Sequence, residues 1–364
     1  MKKIYIIYTN YLNNDEKTVS IGGIQTYISD LCEILKRNEI KPIIIQKSEH
    51  DFCVEVNNIE IRGIKVNKNN FSRKAISIID KKNIVIFGSH ELIEKYDGYS
   101  LAIQHGITWD VPHPNNKKSM MNFLMIFRRA FQSFKLYRKI SLVDELICVD
   151  YNFLNWYRTQ VAYPDIKMSV IPNYTIIPNG CDKNNGETIK IIFARRLFWY
   201  RGTRVFANAI QKIIDIYPNV FVTIAGEGPD EEYMRRKLSE YKNVEFIKYK
   251  SAESIKIHSD KDIAVIPTIG SEGTSLSLLE AMSTKCAVVV SNVGGMTNIV
   301  IDNYNGLIID PNQNELVEAL IRLIEDKTLR NRIADEGYNS VKNGFSKEIW
   351  TEKWGNIIEG IIEN

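Results

Sequence analysis

Two carboxylates, Glu272 and Glu280, stand with seven residues between them at a place where the chain changes character. The apolar run 262–267 ahead of them reads as the end of a buried strand. A loop carrying Glu272 and Gly273 follows, and then a helix carrying Glu280. The turn from strand to helix leaves backbone N–H groups unpaired at the positive end of the helix dipole, which suits a phosphate. A carboxylate accepts hydrogen bonds from two vicinal hydroxyls. One of the pair could therefore hold sugar hydroxyls and the other a ribose diol. The same residues admit a plainer reading, a capping box with Ser277 as N-cap and Glu280 three positions on.

Other residues could serve the same ligand. Arg195, Arg196 and Arg201 cluster just past a second apolar run, 190–194, and arginine offers paired N–H donors to a diphosphate. Gly22 and Gly23 open a helix and let a ligand approach the backbone closely; a plain helix-start loop is the other reading. The pair is not a GxGxxG fingerprint, which argues against a nicotinamide-binding domain. His105 follows a strand and can donate to a sugar hydroxyl, with Asp110 and His113 further along the same loop. Asp260 and Asp262 spell DxD, but at the start of a strand, away from where a ligand is expected.

The segment from Glu272 to Met282 resembles the Glu-x7-Glu signature of the retaining nucleotide-sugar glycosyltransferases of family 4. The stretches 287–295 and 302–311 are similar to that family's continuation, and the resemblance runs from about Val170 to Pro311. It implies that Glu280 binds the donor ribose and that Glu272, with Gly273, Thr274 and Ser275, faces the donor sugar. It also implies that Arg196 and Arg201 hold the diphosphate, that Gly22 and Gly23 lie near it, and that His105 reaches the sugar. Arg196 matches the Arg of the family's Gly-Arg-Leu, Arg195 stands where Gly is usual, and Arg201 replaces a Lys. Thr274 and Ser275 replace an aromatic residue and a Gly. Glu272, His105, Arg196 and Arg201 are the catalytic candidates. No metal and no other cofactor is implied, because cationic side chains and a helix end serve the diphosphate.

The elements that must position these residues follow from pattern. At 364 residues the chain is too long for one core. Strands read at 3–8, 42–46, 59–66, 84–87, 101–104, 145–149 and 168–171, with helices beginning at Gly22 and near 72–81, 91–95, 118–139 and 151–160 between them. The alternation resumes with strands at 190–194, 220–225, 244–248, 263–266 and 287–290. Helices there read at 202–216, 230–240, 252–259, 275–284, 315–325 and 328–343. Alternating strands and helices predict α/β architecture with parallel sheets covered on both faces. By resemblance this is GT-B, two Rossmann-like doubly wound domains facing a cleft. The expected domains are 1–173, on the acceptor side and joined by a last helix at about 346–364, and 174–345, which binds the nucleotide sugar. The Pro-, Asn- and Gly-rich segment after Asn173 reads as the hinge.

Composition bounds the partners. A hydrophobic content of 44% and a charged content of 25% belong to a globular chain, and a net charge of +3 gives no argument for nucleic-acid binding. The five cysteines show no metal-ligand spacing, and the simplest expectation is a reduced, cytoplasmic chain. The stretch 115–139 is basic, with Lys117, Lys118, Arg128, Arg129, Lys135, Arg138 and Lys139 and no acid. On a helical wheel Phe123, Ile126, Phe127, Ala130, Phe134 and Tyr137 gather opposite most of the cations. Such a helix can lie on an anionic membrane surface at the inner face, or it can turn its aromatic arc into its own domain.

The expectation is a metal-independent, hexosyltransferase-like retaining glycosyltransferase. It would move a sugar from a nucleoside-diphosphate donor to a glycan or lipid-linked acceptor in surface polysaccharide or glycoconjugate synthesis. A non-catalytic glycosyltransferase-like partner subunit and a GT-B sugar-nucleotide epimerase are the alternatives.

Overall fold

A computed structural model describes residues 2–20, 22–66, 70–107, 120–161, 166–180, 188–270 and 272–363, the side chains of 120–124 and 363 excepted. Asp110, His113, Lys117, Lys118, Cys181 and the side chain of Phe123 therefore lie outside the described residues. Described residues 2–105, 120–171 and 351–363 form one compact unit, and 106–107 with 172–350 form the other.

The first unit runs β1 (Lys3–Ile7), α1 (Gly23–Arg37), β2 (Lys41–Ser48), β3 (Phe52–Val56), β4 (Ile59–Lys65), α2 (Phe71–Ser77), β5 (Ile84–Phe87), β6 (Ser100–Gln104), α3 (Met120–Ile140), β7 (Glu145–Cys148), α4 (Tyr151–Gln160) and β8 (Lys167–Val170). Its sheet has eight strands in the order β3-β4-β2-β1-β5-β6-β7-β8. The inner strands are parallel and buried on both faces, so they read as apolar runs such as Ile4–Ile7 and Ile43–Ile45 rather than alternations. Strand β3, which the apolar pattern does not predict, pairs antiparallel with β4 at the sheet edge. It alternates half-buried and exposed residues, as a one-sided edge strand must. Helix α4 is capped by Asp150, whose carboxylate accepts the Phe153 N–H at 2.8 Å.

The second unit runs β9 (Ile189–Ala194), α5 (Thr203–Ile216), β10 (Val220–Ala225), α6 (Glu231–Leu238), β11 (Val244–Ile247), α7 (Ser254–Ser259), β12 (Ile263–Ile266), α8 (Leu276–Ser283), β13 (Ala287–Ser291), β14 (Leu307–Ile309), α9 (Gln313–Glu325) and α10 (Lys327–Gly344). The six-stranded parallel sheet has the order β11-β10-β9-β12-β13-β14. Its alternate residues feed two cores. Ile191, Phe193, Val265 and Val289 pack with α5 and α9 on one face. Ile192, Ala264, Ile266 and Val290 pack with α8 on the other. Each fully buried Ile or Phe contributes roughly 1.5–3 kcal/mol by area removed from water. The three-residue β14 also escapes sequence pattern. The last helix, α11 (Lys347–Glu363), brings Trp354 to donate its indole N–H to the Tyr27 hydroxyl of α1 at 2.8 Å, within the first unit.

Candidate donor site

The predicted carboxylates come from the carboxyl end of β12 and from α8. Glu272 is the centre of a buried ionic cluster. Its Oε2 accepts from Arg195 Nη2 at 2.7 Å, Arg201 Nη1 at 2.5 Å and Thr268 Oγ1 at 2.8 Å. All its side-chain hydrogen bonds within the described residues fall on that one oxygen. Burial pushes the Glu272 carboxyl up, but Arg195 and Arg201 outweigh it, and its pKa ends below the ordinary carboxylate value. Two guanidinium groups on one carboxylate leave a net positive charge in a nearly dry place, where an anion is held more strongly than in water.

The arginines divide differently from the sequence expectation. Arg195, which occupies the usual Gly position, is 8% exposed and ties Glu272 to Thr268, donating through Nη1 to the Thr268 hydroxyl at 2.5 Å. Its Nε is buried and has no partner among the described residues. Arg196 is exposed, with its guanidinium over the Phe198 ring at 5.6 Å, and it does not join the cluster. Strand β9 ends at Ala194, so adjacent side chains beyond it diverge. Arg201 does join the cluster, through Nη1 on Glu272. Behind it, Gly202 sits at φ 82°, and a Cβ there would come 1.9 Å from the Pro267 carbonyl oxygen. Only glycine lets the 195–202 loop lie so close to the end of β12.

The loop at Glu272 is held from behind as well. The Gly295 N–H donates to the Glu272 carbonyl at 3.1 Å. Gly294 has φ 58°, and a Cβ there would meet that carbonyl oxygen at 2.1 Å. The Thr274 carbonyl accepts from Asn173 Nδ2 at 2.8 Å. Gly273 is half-buried, and Thr274 and Ser275 are buried at 5% and 2%.

The capping-box reading fails. Helix α8 starts at Leu276 with Ser275 as N-cap and no side-chain cap bond, so Ser277 and Glu280 already lie inside the helix. Glu280 instead receives the Ser254 hydroxyl at 2.6 Å on Oε2. Burial pushes its pKa up to about 7, and Tyr249 beside it is pushed up to about 12 by burial and by Glu280. A half-buried carboxyl with one hydroxyl partner among the described residues has acceptor capacity to spare for a diol.

The DxD pair is used structurally. Asp262 accepts the Lys190 N–H at 2.8 Å, and Asp260 pairs with Lys190 at 2.9 Å and Lys261 at 3.0 Å.

In the first unit, His105 follows β6, and its Nε2 lies 3.1 Å from the Gly88 carbonyl oxygen. Its ring meets Tyr27 edge-on at 5.3 Å. Burial lowers its pKa to about 4, so the ring is neutral at pH 7. A neutral ring donating Nε2–H to Gly88 keeps its lone pair on Nδ1. Gly22 is the extended N-cap of α1 with no side-chain cap bond, and the helix begins at Gly23. On α3 the buried positions are Leu136 and Ile140, while Ile126, Phe127, Phe131 and Phe134 are 63%, 60%, 69% and 59% exposed. The aromatic arc thus does not turn into the domain along most of its described length. Tyr137 is the exception, stacked on Trp156 at 5.9 Å.

Both units pair a mostly parallel sheet with alternating helices, and the same build recurs in a sucrose-phosphate synthase from Thermosynechococcus elongatus. That structure superposes with a TM-score of 0.75 over 100% of both chains at 15% identity. The fold is GT-B. Residues 182–340, which include every member of the Glu272 cluster, match the family described as glycosyl transferases group 1. An uncharacterized glycosyltransferase of Methanocaldococcus jannaschii is 25% identical over 92% of each chain. The UDP-Gal:alpha-D-GlcNAc-diphosphoundecaprenol alpha-1,3-galactosyltransferase of Escherichia coli is 27% identical over 66% of this chain and 64% of its own length. The chain spans 55% of a second M. jannaschii glycosyltransferase and 64% of the E. coli relative, under two thirds of either. Together these similarities show the GT-B fold and a second unit similar to the group 1 glycosyl transferases.

Among the described residues no helix is long and apolar enough to cross a membrane.

Proposed function

We propose that this GT-B chain is a retaining glycosyltransferase, taking a sugar from a nucleoside-diphosphate donor and giving it to a glycan or lipid-linked acceptor. The observation that carries the reading is the Arg195–Arg201–Glu272 cluster together with the half-buried Glu280, whose carboxylate has the Ser254 hydroxyl as its one hydrogen-bond partner among the described residues. In this reading the ribose hydroxyls donate to Glu280. The diphosphate meets Arg201, the exposed Arg196 and the N–H groups that open α8. The donor sugar lies against Glu272 and the Gly273–Ser275 backbone; for His105 and the Gly22–Gly23 turn the family resemblance alone assigns a role toward a donor.

The bond between the anomeric carbon and the diphosphate oxygen breaks, and negative charge builds on the leaving group where preorganised cations reduce its cost. The acceptor hydroxyl bonds to the same face of that carbon, and its proton passes to the departing phosphate. Glu272 is an unsuitable nucleophile while its Oε2 is committed to two arginines, which supports a front-face route over a double displacement. The cationic cluster supplies the charge that a metal would otherwise bring, so the reaction is proposed to be metal-independent.

The acceptor class draws on the Escherichia coli relative, which by name acts on a diphosphoundecaprenol-linked sugar. The exposed aromatic stripe of α3, flanked by Arg128, Arg129 and Lys135, supports peripheral contact with an anionic membrane that would carry such an acceptor. The reading is tested by incubating the chain with UDP- and GDP-sugars, with and without EDTA, and following donor hydrolysis and the anomeric configuration of the released sugar by NMR. Hydrolysis or transfer with retention in EDTA supports it. Inversion, or activity restored only by Mg²⁺ or Mn²⁺, overturns the mechanism. No turnover and no nucleotide binding overturns the function.

A further inference from the structure

The first unit holds a pocket of about 760 Å³ at the carboxyl ends of β1, β2 and β4, its lining among the described residues running from Thr9 to Val66. Neither Gly22 nor His105 borders it, so the donor reading leaves it unused.

Its wall is built rather than incidental. Gln46 is 4% exposed, and its Oε1 accepts the N–H groups of Tyr11 at 3.1 Å and Leu12 at 2.7 Å, pinning the loop after β1. That loop is closed on itself by the Leu12–Val19 bridge and by the Asn13 N–H on the Thr18 carbonyl at 2.9 Å. The Gln46 amide N–H groups have no partner among the described residues, although Gln46 lines the pocket. On another side stands Phe52 of β3. Its ring lies against Gly63 of β4 so closely that a Cβ there would come 2.1 Å from Cε1. The antiparallel edge strand therefore sets an aromatic ring in the lining.

The remaining polar lining decides the ligand class. Asn10, Asn13 and Asn14 add amides that both donate and accept. Lys47 and Lys65 are matched by Glu16 and Glu49, and His50 Nε2 lies 3.0 Å from Glu16 Oε1. Balanced charge gives no net attraction for a phosphate. Planar amides and carboxylates beside an aromatic face suit an uncharged polyol with one apolar C–H face, which describes a pyranose. The volume falls in the range of ordinary ligand sites, roughly 300–1,000 Å³.

We propose that this pocket is a saccharide-binding subsite, taking an oligosaccharide portion of the acceptor with a pyranose against Phe52. The proposal rests on the glycosyltransferase reading for the word acceptor, but the pocket itself is independent of the donor site.

The test uses the full chain, labelled, on an array of neutral and phosphorylated oligosaccharides of two to six sugars. Thermal shifts with UDP and GDP are run in parallel on the wild type and on Phe52→Ala, Phe52→Tyr and Glu49→Ala. The expected result is binding of a neutral glycan that weakens tenfold or more in Phe52→Ala and Glu49→Ala and survives in Phe52→Tyr, with nucleotide shifts unchanged in all four. Nucleotide shifts without any glycan binding overturn the subsite and leave the transferase reading standing. So does glycan binding that ignores both alanine variants. Selective binding of phosphorylated glycans, abolished by Lys47→Ala, replaces the subsite with an anion site. Pocket-dependent glycan binding without any nucleotide shift keeps the subsite and removes the donor reading instead.

Discussion

Glu280 should make the ligand-free protein less stable above neutral pH than its isosteric amide. A rise from the ordinary 4.5 to about 7 corresponds to about 3 kcal/mol at about 1.36 kcal/mol per unit. The folded state favours the neutral carboxyl. Its stabilisation is therefore full below the unfolded value near 4.5 and is lost as pH rises through about 7. At pH 8 the carboxylate is ionised, half-buried and, among the described residues, supported by the Ser254 hydroxyl alone. Glu280→Gln removes the ionisation while keeping the shape. The variant should lie within about 1 kcal/mol of the wild type at pH 5 and exceed it by about 3 kcal/mol at pH 8. A bound ribose diol acts in the opposite sense, because its two hydroxyls favour the ionised form. UDP or GDP affinity in the wild type should rise as pH passes through 7. In Glu280→Gln it should fall by roughly 1.5–3 kcal/mol at pH 8, the range for hydrogen bonds to a charged group, and lose its pH dependence. Urea unfolding at pH 5, 6.5 and 8, paired with nucleotide titrations, measures both effects. A variant no more stable than the wild type at pH 8 would refute the burial argument, and unchanged nucleotide affinity would refute the ribose role.

The two adjacent arginines should separate by phenotype. Arg195→Ala leaves Glu272 buried without its main partner and should cost about 3–5 kcal/mol of stability. Arg196→Ala, at an exposed position, should leave the melting temperature unchanged but lower turnover by on the order of 10², as loss of a preorganised donor does. Turnover near normal in a well-folded Arg196→Ala would remove it from the diphosphate site. Gly294→Ala should cost more than about 1 kcal/mol, because φ 58° is unfavourable for a residue with Cβ and the new atom meets the Glu272 carbonyl; differential scanning calorimetry checks this. Finally, the chain should co-sediment with anionic but not neutral liposomes, less so in high salt and less in Arg128→Glu/Arg129→Glu. Equal recovery with both lipids would detach α3 from the membrane.

Most of the repeating elements were legible because buried parallel strands announce themselves as apolar runs. Strands 84–87, 220–225 and 263–266 and helix 151–160 agree to the residue with those observed. The misses share a cause. Strand β3 alternates polar and apolar residues and is defined by pairing with β4, and β14 is three residues long, so neither stands out without its neighbour. At the site, Glu272 and Arg201 were legible through motif. The cluster's other arginine was not, because the choice between Arg195 and Arg196 depends on which way the chain turns after β9. Thr268 contributes through a hydroxyl whose value appears only once residue 195 is brought beside it. The Ser277–Glu280 spacing was misleading because a capping box requires a helix start that the preceding Ser275 already provides.

The anchoring of Glu272 has a consequence for engineering. Its carboxylate is fixed by residues 195, 201 and 268, and its carbonyl by the N–H of residue 295. None of these bonds uses the side chain of Thr274 or Ser277, and the bond that residue 274 makes to Asn173 is through its own carbonyl. Substitutions at 274 that keep its buried packing, and at 277 on the first turn of α8, therefore remove no bond that holds the carboxylate. On the donor reading proposed above, donor preference and the position of the acid would be separable traits, and a selection for new donors should find its variants there first.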